Sequence, residues 1–302
     1  MRIFITGSAS HLARACLPKL CRDERIHHIV GIDLAPAILS HAKFRHHVLD
    51  IRSEQVGALL AGCDALVHLA WVVLRGKMLA RTMYAINVEG TQTLFGAART
   101  AGVARLIHLS SAAVYGAGER LNETTTFMPY PDFLYARHKV EIEHFLATEF
   151  PQALRLRPHI ILGPHCQPLL KQLLKQPCYP RLPSPAPRLQ CVHEEDVAQA
   201  ILLAIFSDSD GALNLATADS FSLKETVRAR HRHTLALPLS LLHPAFKLAW
   251  RTTGWGGEPA WLQGLSASLT LDCARAQQVL DWQPQYDAAA TLASVSSSRF
   301  AL

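Results

Sequence analysis

A doubly wound α/β fold, with one parallel sheet covered by helices on both faces and a smaller lobe toward the C-terminus, is what this 302-residue chain predicts. Three observations predict it. Short apolar runs such as Ala65-Leu66-Val67-His68-Leu69-Ala70 and Arg105-Leu106-Ile107-His108-Leu109 have the length of strands buried on both faces. Helix-forming segments lie between such runs, as crossovers joining parallel strands require. The chain opens on a strand, a glycine turn and a helix.

Taken in order, residues 2–5 form the first strand, and Thr6-Gly7-Ser8-Ala9-Ser10-His11-Leu12-Ala13 is the turn that opens the first helix. Such a helix start offers unpaired N–H groups and the positive end of a dipole, which suits a pyrophosphate. Gly7, Ser10, His11 and Leu12 are therefore candidate cofactor contacts. The second strand, residues 29–32, ends in Asp33. A carboxylate there accepts from a ribose 2′-OH and repels a 2′-phosphate, favouring NAD over NADP; capping the turn before Pro36 is the alternative. Residues 48–51 close the third strand, 65–70 form the fourth, and a helix over 91–101 ends at Gly102. Residues 116–133 read as a polar loop over the substrate. Residues 154–158 form the sixth strand, 164–188 a proline-rich crossing, 197–206 a helix with Glu194, Glu195 and Asp196 as acidic caps, and 211–216 a last strand. Residues 235–261, rich in Leu, Trp, Phe and Pro, suggest an apolar roof, and the stretch 235–250 packs inside the smaller lobe or else lies on a membrane surface. The domain reading is 1–165 rejoined by 189–216 for the dinucleotide-binding part, and 166–188 with 217–302 for the substrate lobe.

Chemistry concentrates at Leu109-Ser110-Ser111-Ala112-Ala113-Val114-Tyr115-Gly116 and Tyr135-Ala136-Arg137-His138-Lys139. The strand delivers a serine hydroxyl to its carboxyl edge, where open α/β sheets bind ligands. Tyr135 and Lys139, four residues apart on a helix, share a face. An ammonium beside a phenol favours the phenolate and draws it down from about 10. A surface pair is the alternative, against which stand the serine-bearing strand end upstream and the opening glycine turn.

This combination resembles the extended short-chain dehydrogenase/reductase family, the NAD-dependent epimerase/dehydratases. The resemblance implies Ser111, Tyr135 and Lys139 as the catalytic trio, with Asn87 of Asn87-Val88-Glu89-Gly90-Thr91 in a supporting role. It implies NAD as cofactor, Asp50 and Ile51 at the adenine, Leu69, Ala70 and Trp71 in the loop beside the cofactor, and Pro158 at the end of the Arg-Pro strand. Departures are informative. Ser10 and Ala13 replace two glycines of the family's turn, and Trp71 replaces a small residue. Ile160 stands where sugar-nucleotide epimerases carry an Asn, and Leu189 fills the slot of a basic residue, with Arg188 one position early. A site lacking those polar groups is a poor host for a nucleotide-sugar.

Composition bounds the rest. A net charge of +6 suits an anionic ligand, but the basic residues are scattered, so no nucleic-acid partner is expected. Seven cysteines without a C-x-x-C pair point to reduced thiols in a cytoplasm, and no metal-ligand spacing appears. No secretion signal and no transmembrane segment is read. Relatives often dimerise through the helices carrying the Asn and the Tyr-Lys pair, so residues 84–98 and 140–146 are the expected homodimer faces or else pack within one subunit. The leading function is an NAD-dependent enzyme acting on a secondary alcohol or ketone of a small-molecule substrate, tilted toward a steroid-like or lipid-like one. The alternatives are a UDP-sugar 4-epimerase-like enzyme and a catalytically decayed NAD(P)-binding sensor or scaffold.

Overall fold

Seven strands form one parallel sheet in the computed structural model, which describes residues 1–74, 76–254 and 260–295. They are β1 (Arg2–Thr6), β2 (His28–Asp33), β3 (Phe44–Val48), β4 (Ala65–His68), β5 (Arg105–Leu109), β6 (Leu154–Pro158) and β7 (Gly211–Leu215). Their spatial order is β7-β6-β5-β4-β1-β2-β3. The chain leaves β1 toward β2 and β3, then returns to the other side at β4, so the strand order reverses between β1 and β4. That reversal opens a crevice at the carboxyl ends, the ligand position of such sheets. Gly7 is demanded there: at φ 69° it lies in left-handed backbone, and a Cβ would fall 2.6 Å from Ala70 N.

Apolar side chains on both faces of the sheet explain its continuous runs. On one face α1 (Ala13–Arg22) packs against α5 (Glu194–Ile205), with Leu17, Leu20, Val197 and Ile201 fully buried. On the other, α2 (Gln55–Leu60), α3 (Gly90–Thr100) and α4 (Leu134–Glu149) bury Leu60, Leu94, Phe95, Ile142 and Leu146. At about 1.5–3 kcal/mol for each large apolar side chain, these layers hold the sheet edge in place.

The chain outside the sheet departs from expectation in three places. Residues 116–133 are not loop throughout: Gly118–Leu121 is a short strand paired in parallel with Leu269–Leu271. The crossing at 164–188 contains a helix, Pro168–Lys175, and a strand, Cys178–Arg181, that pairs with Leu235–Pro238. Among the described residues the predicted roof packs only at its far end, where Ala260 and Trp261 join Phe133. Helix Leu239–Thr253 buries none of its residues, and Leu241 and Leu248 are 65% and 64% exposed; residues 255–259 of that stretch lie outside the described residues. No helix among the described residues is long and apolar enough to cross a membrane.

The acidic triplet fills the first turn of α5, at the positive end of its dipole as the sequence suggests, and two of its members do more than cap. Helix α5 is capped by His193, whose ring accepts from Glu195 N at 3.2 Å. Glu194 binds the His165 backbone and its Nδ1, the latter at 2.6 Å, and Asp196 accepts from Gln285 N and Tyr286 N. Two of the three carboxylates are ties between distant segments, because buried carboxylates need several donors.

Candidate functional site

Strand β5 ends at Leu109, and Ser110 N continues its ladder to Leu156 O at 2.7 Å. Ser111 then turns the chain into a short 3-10 helix, Ala112–Tyr115, with its hydroxyl accepting from Ala113 N at 3.2 Å. This cap leaves the hydroxyl proton free to donate. From α4 the Tyr135 phenol comes to the same edge, near enough for the Ser111 hydroxyl to act on its proton affinity. The Tyr135 ring is walled by Phe133 and Trp261, with centroids at 5.5 and 5.6 Å. Ser111 and Tyr135 are thus brought together at the sheet's carboxyl edge.

Lys139 sits one turn further along α4 and is only 3% exposed. Its Nζ donates to Leu109 O at 2.5 Å and lies 3.4 Å over the centre of the Trp71 ring. The expectation that this cation draws the phenol down is not met. Burial pushes the Tyr135 phenol up, with the nearby Ser111 hydroxyl pulling against it. Lys139 itself is held well below the usual lysine range by burial, opposed by the Glu143 carboxylate one turn on. With its amine engaged by a carbonyl and an indole, Lys139 has no part in setting the phenol's proton affinity here.

Asn87 clamps the loop after β4, the strand beside β5, through the Val72 backbone. Its Oδ1 accepts from Val72 N at 2.8 Å and its Nδ2 donates to Val72 O at 3.0 Å. The residue lies in a single π-helical turn, Ala85–Glu89, inserted ahead of α3.

The free donors of the nucleotide turn suit a dinucleotide. Ser10 Oγ accepts from Ala13 N at 3.3 Å and so caps α1, while Ala9 N is taken by Asp33 at 3.0 Å. Among the described residues the His11 and Leu12 amides have no partner, which leaves two N–H groups at the helix start for an anion. Asp33 uses one lone pair on each oxygen, for Ala9 N and Ala35 N, and keeps others for ribose hydroxyls. Asp50 is held by the Arg52 guanidinium, and Ile51 is buried against Gly90. Leu69 is buried, Ala70 N donates to Thr6 Oγ1 at 3.2 Å, and Pro158 is the buried last residue of β6. The residues at the adenosine and pyrophosphate end therefore fit NAD. At the lysine end, Trp71 is in the way.

Two buried arrangements behind the site escaped sequence reasoning. Arg157 grips Glu143 through Nε and NH2, both at 2.8 Å, and Arg155 Nε lies 3.0 Å from the same carboxylate. Arg157 also donates to the Tyr115 hydroxyl at 2.7 Å, which donates to Asn214 Oδ1 at 2.8 Å. The second is a ring stack. His68 bonds Thr6 Oγ1 and Thr91 Oγ1 at 2.7 and 2.8 Å, and lies 5.3 Å from His108, which meets Trp71 edge-on at 5.7 Å. Burial lowers the His68 pKa to about 3. The one sequence signal for the first arrangement was the Lys139, Glu143 spacing on α4.

A profile of the NAD dependent epimerase/dehydratase family matches residues 3–216. The chain belongs to that family. Its similarity to individual proteins divides by kind. It is 30% identical over 156 residues to the 3-beta-hydroxysteroid dehydrogenase of Mycolicibacterium neoaurum, a match covering 48% of this chain and 42% of the relative. It is 29% identical over 172 residues to the sterol demethylase protein B of Methylococcus capsulatus, covering 54% and 52%. The chain thus spans about half the length of these curated relatives. In fold it is similar to the dTDP-glucose 4,6-dehydratase DesIV of Streptomyces venezuelae, solved with NAD, at a TM-score of 0.76, with 22% identity and 98% and 96% coverage. The UDP-glucuronic acid 4-epimerase of Bacillus cereus, also solved with NAD, superposes at a TM-score of 0.73, with 20% identity and 97% coverage of both chains.

Proposed function

We propose that this family member is an NAD-dependent oxidoreductase that interconverts a ketone and a secondary alcohol on an apolar, steroid-like or lipid-like molecule. The observation that carries the reading is the juxtaposition of Ser111, at the carboxyl edge of β5, with the buried Tyr135 phenol of α4. Bound NAD(H) supplies the hydride chemistry, and the chain supplies the proton and the positioning. A phenol pushed up by burial stays protonated at neutral pH, so Tyr135 is set to donate to a carbonyl oxygen that Ser111 also contacts. That protonation state favours ketone reduction. Lys139 is assigned to the cofactor's ribose, and Asn87 positions the loop beside it.

Gly7, Ser10, His11, Leu12, Asp33, Asp50, Ile51, Leu69, Ala70, Trp71 and Pro158 are assigned to the cofactor side, and residues 166–188 with 217–302 to the substrate lobe. An apolar substrate is supported by the Phe133 and Trp261 wall at Tyr135 and by Ile160 in place of an amide. Arg188 does not supply the missing charge, because its guanidinium is tied to Ser220 and Glu225. The sterol-related names of the sequence relatives agree with this class. Seven unpaired thiols suit a reducing, cytoplasmic location.

The test is a panel of 3-hydroxysteroids and 3-ketosteroids against UDP-sugars, followed by NADH absorbance and product analysis. Steroid turnover with NAD(H) is expected. Conversion of a UDP-sugar with no steroid activity would replace this reading by the epimerase-like one, and NAD binding without turnover of either class would leave the sensor or scaffold.

A further inference from the structure

The Trp71 ring is wedged between the Lys139 amine on its face and the His108 ring at its edge. Lys139 is otherwise closed in by protein, and its other contact, Leu109 O, belongs to a central strand that cannot move. The indole is the cover that can. Its backbone is pinned on both sides, by Ala70 N on Thr6 Oγ1 and by the Asn87 clamp on Val72. Uncovering the amine is therefore a side-chain rotation rather than an opening of the loop. One feature of the closed position is unfavourable. Trp71 Nε1 is buried and has no hydrogen-bond partner among the described residues, a donor that rotation into water would satisfy.

We propose that Trp71 is a cofactor gate, its side chain covering the Lys139 amine in the free protein and rotating off it before the nicotinamide end of NAD is held. The inference rests on the reading of Lys139 as a cofactor contact. Part of the binding energy is then spent on breaking the amine–indole contact. A desolvated contact of this kind corresponds to about a 10–30-fold change in Kd. Asn87 is a positioning residue in this scheme, since it fixes the backbone from which the indole projects.

The experiment measures NAD Kd by calorimetry, and tryptophan emission on NAD addition, for the wild-type protein, Trp71→Ala and Trp71→Phe, with melting temperature as a check on folding. Trp71→Phe keeps an apolar ring in the wedge, so it remains informative if Trp71→Ala does not fold. The gate predicts about 10–30-fold tighter binding in Trp71→Ala and a smaller gain in Trp71→Phe. It also predicts an emission change on NAD addition to the wild type that Trp71→Phe lacks. Equal or weaker binding in both variants, with the wild type binding NAD, would overturn the gate and leave the oxidoreductase reading standing. Binding by the variants alone would support the gate. No binding of NAD or NADP by any of the three would overturn both.

Discussion

Glu143→Gln probes the buried framework beneath the site. The carboxylate is 2% exposed and faces two guanidiniums, Arg157 through two bonds of 2.8 Å and Arg155 at 3.0 Å, both Arg residues less than 9% exposed. An amide keeps the size of the side chain and removes the charge, leaving two buried cations without a counter-charge. Breaking a buried ion pair from one side costs about 3–5 kcal/mol, mostly the penalty of the stranded charge. For a chain of this length about 2 °C of melting temperature accompanies each kcal/mol, so a drop of roughly 6–10 °C is expected. Differential scanning calorimetry and urea unfolding read it. The same change removes the carboxylate that raises Lys139, so the lysine is held further below its usual range. A Glu143→Gln protein melting within 1 °C of wild type would refute the claim that this carboxylate holds the two arginines together.

Further consequences follow from other residues. His68 takes its proton only near pH 3 when folded, against 6.5 in the unfolded chain, and His159 only near 4. Between those values the unfolded state binds more protons, so stability is full above pH 6.5 and falls as the pH drops, by about 5 kcal/mol for His68 alone at the acid end. Urea midpoints between pH 7 and 4 measure it, and a flat profile would contradict the burial of these rings. Gly7→Ala places a Cβ 2.6 Å from Ala70 N in left-handed backbone, whose conformational cost alone is about 1–2 kcal/mol. A lower melting temperature and weaker NAD binding are expected; an unchanged protein would show that the two loops do not meet there.

The sheet was legible because each strand is a short apolar run buried on both faces, a pattern that local sequence states by itself. The meeting of Ser111 with Tyr135 was legible for a related reason: topology carries both to one sheet edge. What Lys139 touches was not legible. Spacing on a helix places Lys139 beside Tyr135, but the partner of its amine was decided by Trp71, held in place by an Asn87 clamp from another segment. The Glu143 and Arg157 pair joins a helix to a strand, and neither residue signals the other in sequence. The strands Gly118–Leu121 and Leu235–Pro238 exist through pairing with distant segments, which local propensity does not encode. The solvent-facing leucines of helix Leu239–Thr253 could not be told from core leucines, since apolar content says nothing about whether a partner surface is present.

The central claim is that the Tyr135 phenol, paired with Ser111, is the proton donor for a hydride-transfer reaction. Turnover of a ketosteroid by Tyr135→Phe, measured beside its NAD Kd, tests it most directly. The account predicts a loss of about 10²–10⁴-fold in kcat with the NAD Kd unchanged. Wild-type turnover in Tyr135→Phe would contradict it.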